Sequence, residues 1–179
     1  MIAHFIIDNF TLIGIEPEKY GNKNHPLSSR LFTPKENSFN YTFLGIDSDH
    51  FSFEVEATND VHVGLFSKPE ATPPWYEIVI GGWGNTKSVL RKDKQDEHGY
   101  IVVESQSFGI LDKNKPNKLW VRMTRNTIAC GFRGEADPFI SWWEKGNLPR
   151  ITYVGFHTGF GSTGKWKVLL PKLSEEGAK

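Results

Sequence analysis

Apolar and polar residues alternate along most of this chain with the two-residue period of extended strands, and they do so in short runs separated by turn residues. From residue 39 onward the alternation predicts strands over 39–46, 51–57, 60–67, 75–83, 86–92, 99–106, 118–125, 127–133, 151–158 and 164–170. In 118–125, Leu119, Val121 and Met123 fall on one face, and Trp120, Arg122 and Thr124 on the other. Ile128, Cys130 and Phe132 return after an Arg125-Asn126 turn, which makes a hairpin with an apolar inner face. No segment carries apolar residues at helical spacing for three turns. Asp137 to Glu144 is the one place where a short helical turn is expected, with Pro138 at its start and Gly146 and Pro149 ending it. The fold class that follows is all-β: an antiparallel, two-sheet, jelly-roll or concanavalin-like sandwich, not a parallel α/β architecture.

Three segments are distinguished by their pattern. Residues 1–38 form an N-terminal arm, in which 9–15 is a candidate strand and 17–34 is rich in Gly, Asn, Ser and Pro. Residues 39–173 form the sandwich domain, and 174–179 a polar, frayed tail. The arm is expected to add an edge strand or to contact a partner, and pairing of the arm with the sheet edge of another chain would give a homo-oligomer.

Composition agrees with the strand reading. Among 179 residues there are 13 Phe, six Trp, five Tyr, 17 Gly and 10 Pro, a mixture suited to aromatic-faced strands joined by tight turns. Lys+Arg and Asp+Glu are equal at 21 each, so no overall field draws the chain to nucleic acid or to an acidic membrane. Phe5-Ile6-Ile7 is cut short by Asp8 and Asn9, too polar for a signal-peptide core, and no apolar run approaches membrane-spanning length. The chain as given reads as soluble and cytoplasmic, and is compatible with secretion if it is a mature form. The single cysteine, Cys130, sits on an apolar strand face and reads as a small buried hydrophobe, not a nucleophile.

Candidate chemistry lies on the polar faces of the strands. Alternation sets His62 opposite Val61 and Val63, Glu77 opposite Tyr76 and Ile78, and Arg91 opposite Leu90. If their strands are neighbours, His62, Glu77, Arg91, Trp120 and Arg122 line one sheet face, where aromatic surface and fixed donors and acceptors would suit a carbohydrate or another small polar ring. The competing reading is structural, with Glu77 paired across strands to Arg91 or Arg122. Gly81, Gly82 and Gly84 around Trp83 predict a bulge or bend, and Asn85 suits an unusual backbone conformation, so this corner either presents Trp83 and Asn85 to a ligand or closes the sheet. Trp83 and Trp166 are packing anchors or stacking platforms. Separate strands could converge Asp60, His62, Glu77 and His157 on a metal, but none has diagnostic spacing. Asp47-Ser48-Asp49 lacks the glycine and terminal glutamate of a calcium loop and reads as a solvated turn.

Four stretches, NDVHVGL (59–65), YEIVIGGWGNTKSVLR (76–91), FRGEADPFISW (132–142) and YVGFHTGFGSTGKW (153–166), resemble the farnesoic acid O-methyltransferase (FAMeT) domain family. The resemblance spans roughly residues 39–168. It implies a β domain that also occurs beside lectin-like and extracellular modules, and a family name that proposes methyl transfer from S-adenosylmethionine to an isoprenoid acid. Gly159-Phe160-Gly161-Ser162-Thr163-Gly164 spells G-x-G-x-x-G, but a nucleotide fingerprint opens a helix within a βαβ unit. Lys165 to Leu170 instead alternates as a strand, so the segment reads as a glycine-rich β turn. No catalytic arrangement emerges, and the expectation is a non-enzymatic recognition module without cofactor. S-adenosylmethionine enters only with the methyltransferase alternative, and a structural or self-associating role is the third reading.

Overall fold

A computed structural model describes residues 27–32, 40–93 and 100–171. The strands are β1 (Leu27–Phe32), β2 (Thr42–Gly45), β3 (His50–Glu56), β4 (Val61–Phe66), β5 (Tyr76–Gly81), β6 (Lys87–Lys92), β7 (Tyr100–Gln106), β8 (Asn117–Met123), β9 (Thr127–Phe132), β10 (Ile140–Trp143), β11 (Tyr153–Thr158) and β12 (Lys165–Pro171). They form two six-stranded antiparallel sheets, ordered β1-β12-β3-β8-β9-β10 and β2-β11-β4-β5-β6-β7. The protein is an all-β sandwich, and the alternating runs of the sequence become its strands.

The inward faces meet in one apolar core. Phe51, Phe53, Val55, Leu119 and Val121 from the first sheet pack against Val61, Val63, Leu65, Ile78, Ile80, Leu90, Val154 and Phe156 from the second. Phe156 lies among Phe51, Phe53 and Trp166, with ring centroids 5.1–6.0 Å away. Each such side chain contributes about 1.5–3 kcal/mol by leaving water. Trp166 is therefore a packing anchor. Cys130 is wholly buried in the same core, and burial pushes its thiol far up.

One element differs from the sequence expectation, and the arm supplies an edge strand. The segment expected to make a helical turn, 137–144, instead contributes β10, paired to β9 through Ile140↔Cys130 and Trp142↔Ile128. Ile140 and Trp142 point into the sandwich while Ser141 and Trp143 point away, so burial at period two prevails over the helix-starting preference of Pro138. Within the Gly- and Pro-rich stretch 17–34, β1 pairs with β12 as an edge strand. The candidate strand over 9–15 and the tail 174–179 lie outside the described residues.

β4 and β5 are buried at every position, so the second sheet is covered on its outer face as well. Tyr41, Phe43, Phe66 and Trp75 do this: Tyr41 meets Phe66 edge-on at 4.9 Å, and Phe66 stacks on Trp75 at 5.1 Å. Room for these rings comes from Gly64 and Gly155, which face each other across β4 and β11. A Cβ on Gly155 would lie 2.8–2.9 Å from Tyr41 and Phe66, and one on Gly64 would lie 2.2 Å from Phe66. Gly155→Val is therefore expected to push both rings off the sheet and cost about 1–3 kcal/mol in urea denaturation, despite the strand preference of valine.

Candidate functional site

The outer face beneath those rings holds a polar cluster laid out by strand register. Glu77 faces Arg91 across β5 and β6 and Gly64 across β4, while His62 faces Val79 on β5 and His157 on β11. The Glu77 carboxylate is completely buried and gathers the others. Arg91 donates to Oε2 from Nε at 2.8 Å and from Nη2. On Oε1, the Tyr41 hydroxyl donates, Nδ1 of His62 lies at 3.0 Å and Nε2 of His157 at 3.6 Å. Burial alone would push this carboxyl up, but His62, His157 and Arg91 outweigh it and hold Glu77 well below the usual carboxylate range.

Burial pushes the His62 imidazole down more than Glu77 raises it, so the ring is neutral near pH 7. An ionised carboxylate can only accept, and so Nδ1 of His62 carries the proton and donates to Glu77. Its other nitrogen, Nε2, is bare, buried and without a hydrogen-bond partner among the described residues.

His62, Glu77 and His157 bring donor atoms within 4.8 Å of one another, the spacing of a metal site. The His62 and His157 rings, however, are stacked, with centroids 4.2 Å apart and planes 16° from parallel. An ion in the plane of one ring would lie out of the plane of the other, and Arg91 already neutralises the carboxylate. The trio fits a hydrogen-bonded network better than a coordination sphere.

Above the network opens a cavity of about 270 Å³, lined by Asn59, Asp60, His62, Val79, Trp83, Gly84, Arg91 and Phe160. Its rim is aromatic: Trp83 is 47% exposed and Phe160 67%. Its polar lining comes from His62, Arg91, Asn59 and Asp60. Asn59 donates from its side-chain amide to the Asp60 carboxylate at 2.6 Å. Burial pushes Asp60 up to about 6, against that hydrogen bond.

Backbone strain concentrates here. Of the five non-glycine residues with left-handed φ among the described ones, Asp60 (50°), Trp83 (52°) and Phe160 (51°) line the cavity. Bulky side chains rarely adopt this region, at a cost of roughly 1–2 kcal/mol each. Trp83 belongs to the four-residue turn α1 (Gly82–Asn85), in which Trp83, Gly84 and Asn85 are left-handed in succession. The expected bend is present, and it lifts Trp83 towards solvent with Lys87 over its ring at 4.2 Å. Phe160 sits in the glycine-rich turn, which runs directly into β12 without opening a helix.

The structure therefore brings together His62, Glu77, Arg91 and Trp83 from the residues the sequence nominates. Asn85 turns away: its side-chain amide donates to the Leu111 carbonyl and its side-chain oxygen accepts from the Leu111 N–H. Trp120 and Arg122 do not share this face. Their strand, β8, lies between β3 and β9 in the other sheet, where Trp120 covers Gly131 and donates to the Phe132 carbonyl. The Glu77–Arg91 pairing is the one formed. Tyr41, Asn59, Asp60, His157 and Phe160 complete the site; of these, Asp60 and His157 stand out in the sequence only as metal-ligand types, and Phe160 only within a glycine-rich turn.

A two-sheet antiparallel sandwich with a polar, aromatic-rimmed pocket on an outer face defines the class of this protein. Residues 33–172 match the family described as farnesoic acid O-methyl transferase, and the chain belongs to that family. No curated protein matches its sequence. Among solved structures it is similar to the Bacillus licheniformis β-glucanase, with 16% identity over 84% of this chain and 80% of that one and a TM-score of 0.45. A prokaryotic β-1,3-1,4-glucanase (lichenase) derived from a mouse hindgut metagenome aligns with 15% identity, over 73% of this chain and 69% of that one, at a TM-score of 0.43.

Three outcomes follow from the charges. Glu77→Ala strands Arg91 in a buried site and is expected to cost about 3–5 kcal/mol in chemical denaturation. Because the folded protein holds Glu77 and His62 below their ordinary values of 4.5 and 6.5, their contribution is present above those values and fades as pH falls, first through His62 and then through Glu77. Asp60 has the opposite sign, since its raised value favours folding below 3.8 and that advantage is lost as pH rises through about 6. Asp60→Asn, which tolerates the left-handed backbone, should stabilise the protein by about 1–2 kcal/mol at pH 8, a figure reduced for screening at the open pocket. The difference should vanish below pH 4.

Proposed function

We propose that the chain is a recognition module whose pocket between Trp83 and Phe160 binds carbohydrate. The observation carrying this reading is the pair of exposed aromatic rings, held in strained left-handed backbone on either side of a cavity lined by buried polar groups. Large apolar side chains are not held in that conformation at the surface without compensation, and strain of this kind collects at ligand sites. An aromatic face stacks against the C–H surface of a sugar ring, while hydroxyls need fixed donors and acceptors beneath it. Asp60 supports the same reading, because a partly desolvated carboxyl lowers folding stability and is tolerated where it meets a ligand.

The family name favours a second reading, methyl transfer to an isoprenoid acid, which requires S-adenosylmethionine to bind. A glycan array followed by calorimetry tests the first reading, and calorimetry with millimolar S-adenosylmethionine tests the second. Binding of mono- or oligosaccharides is expected. Trp83→Ala and Phe160→Ala should each weaken it about tenfold, the value of one aromatic contact of roughly 1–1.5 kcal/mol, with folding unchanged. No binding to any mono-, oligo- or polysaccharide, with and without calcium, would overturn the carbohydrate reading. No calorimetric signal with S-adenosylmethionine would remove the methyltransferase one.

A further inference from the structure

The chemistry of the pocket lining points to one class of sugar. Two of the residues lining the cavity, His62 and Asp60, carry acceptors whose roles the surrounding hydrogen bonds fix. Nε2 of His62 is bare because Nδ1 is held on Glu77, and it has no hydrogen-bond partner among the described residues although the residue is only 2% exposed. Asp60 is 4% exposed, and the Asn59 amide engages one of its carboxylate oxygens, Oδ2. Among the described residues, the cation in the lining is Arg91, which is directed at Glu77 through Nε and Nη2. Lys87, beside the rim, lies over the Trp83 ring and bonds to Glu104 at 2.8 Å. The cavity, at about 270 Å³, is just below the roughly 300–1,000 Å³ typical of drug-sized ligands, which suits one ring better than a chain.

We propose that the pocket selects the terminal ring of an uncharged sugar, whose hydroxyls donate to two fixed acceptors, Nε2 of His62 and the carboxylate of Asp60, and that it discriminates against acidic sugars. The proposal rests on the carbohydrate reading above and sharpens it. A uronic or sialic acid would bring a carboxylate towards a lining that offers acceptors and a second carboxylate, with its guanidinium already committed. Like charges brought together in a desolvated site repel strongly, whereas a hydroxyl donating to a carboxylate makes a charge-assisted bond. His62 is a positioning and specificity residue here: Glu77 fixes which of its nitrogens faces the ligand.

The test uses five probes with the full chain at pH 8, where Asp60 is ionised: methyl glucoside, methyl galactoside, methyl mannoside, glucuronate and N-acetylneuraminate. Calorimetry should show at least one neutral glycoside binding ten times or more tightly than either acid. In Asp60→Asn, which is expected to be the more stable protein, affinity for that glycoside should fall about tenfold and the gap to glucuronate should narrow. In nitrogen-15 spectra, the unprotonated Nε2 resonance of His62 should move when the neutral glycoside is added. Glucuronate or N-acetylneuraminate binding as tightly as the neutral sugars would overturn the proposal while leaving the carbohydrate reading intact. So would an unmoved His62 resonance in a saturated complex. Binding of none of the five would count against the carbohydrate reading and end this proposal with it.

Discussion

Glu77 is the group around which the outer face of the second sheet is organised. A carboxylate without solvent contact is tolerable only if every lone pair is engaged and a positive charge is close, and the antiparallel register supplies both. Arg91 stands directly across the strand pair, Tyr41 reaches in over the Gly64–Gly155 gap, and His62 approaches from the next strand. Replacing either glycine removes the space through which Tyr41 enters. Small residues on two strands thus control the ionic arrangement on a third.

That arrangement reaches the pocket through two side chains bonded to Glu77, the His62 imidazole and the Arg91 guanidinium. Glu77 does not line the cavity, yet it determines the proton position on His62, which does. On the other side, Asp60, Trp83 and Phe160 are held by turns of left-handed backbone. The pocket therefore joins two kinds of support: a rigid sheet, whose register sets its polar side, and strained turns, which set its rim. Rigid support of this kind preorganises a binding surface, because little ordering remains to be done when a ligand arrives.

The sandwich was legible from the sequence because burial on one face of a strand imposes period two, and ten runs carried that signal clearly. β10 was not, since four residues behind Asp137-Pro138 give too little alternation to outweigh a helix-start preference. An edge strand from the arm is expected and β1 is one, but its place within a Gly- and Pro-rich stretch is not marked, since an edge strand needs no strong pattern. For the site, His62, Glu77, Arg91 and Trp83 were visible as polar or aromatic residues at outward positions. Which strands lie side by side is a matter of topology, and alternation is silent on it, so Trp120 and Arg122 were placed with a sheet to which they do not belong. His157 and Tyr41 come to Glu77 from 80 residues downstream and 36 upstream, contacts that no local pattern announces.

Cys130 offers an experimental consequence. It is the only cysteine in the chain, it is sealed between Val121 and Ile140 in the strand register, and burial keeps its thiol protonated. Thiolate, not thiol, reacts with maleimides and oxidants. The native surface is accordingly silent to cysteine chemistry, and a single cysteine introduced on the rim beside Phe160 would be the one addressable group. A fluorophore or spin label attached there could report directly on what enters the pocket, with no need to remove the native cysteine and disturb the core.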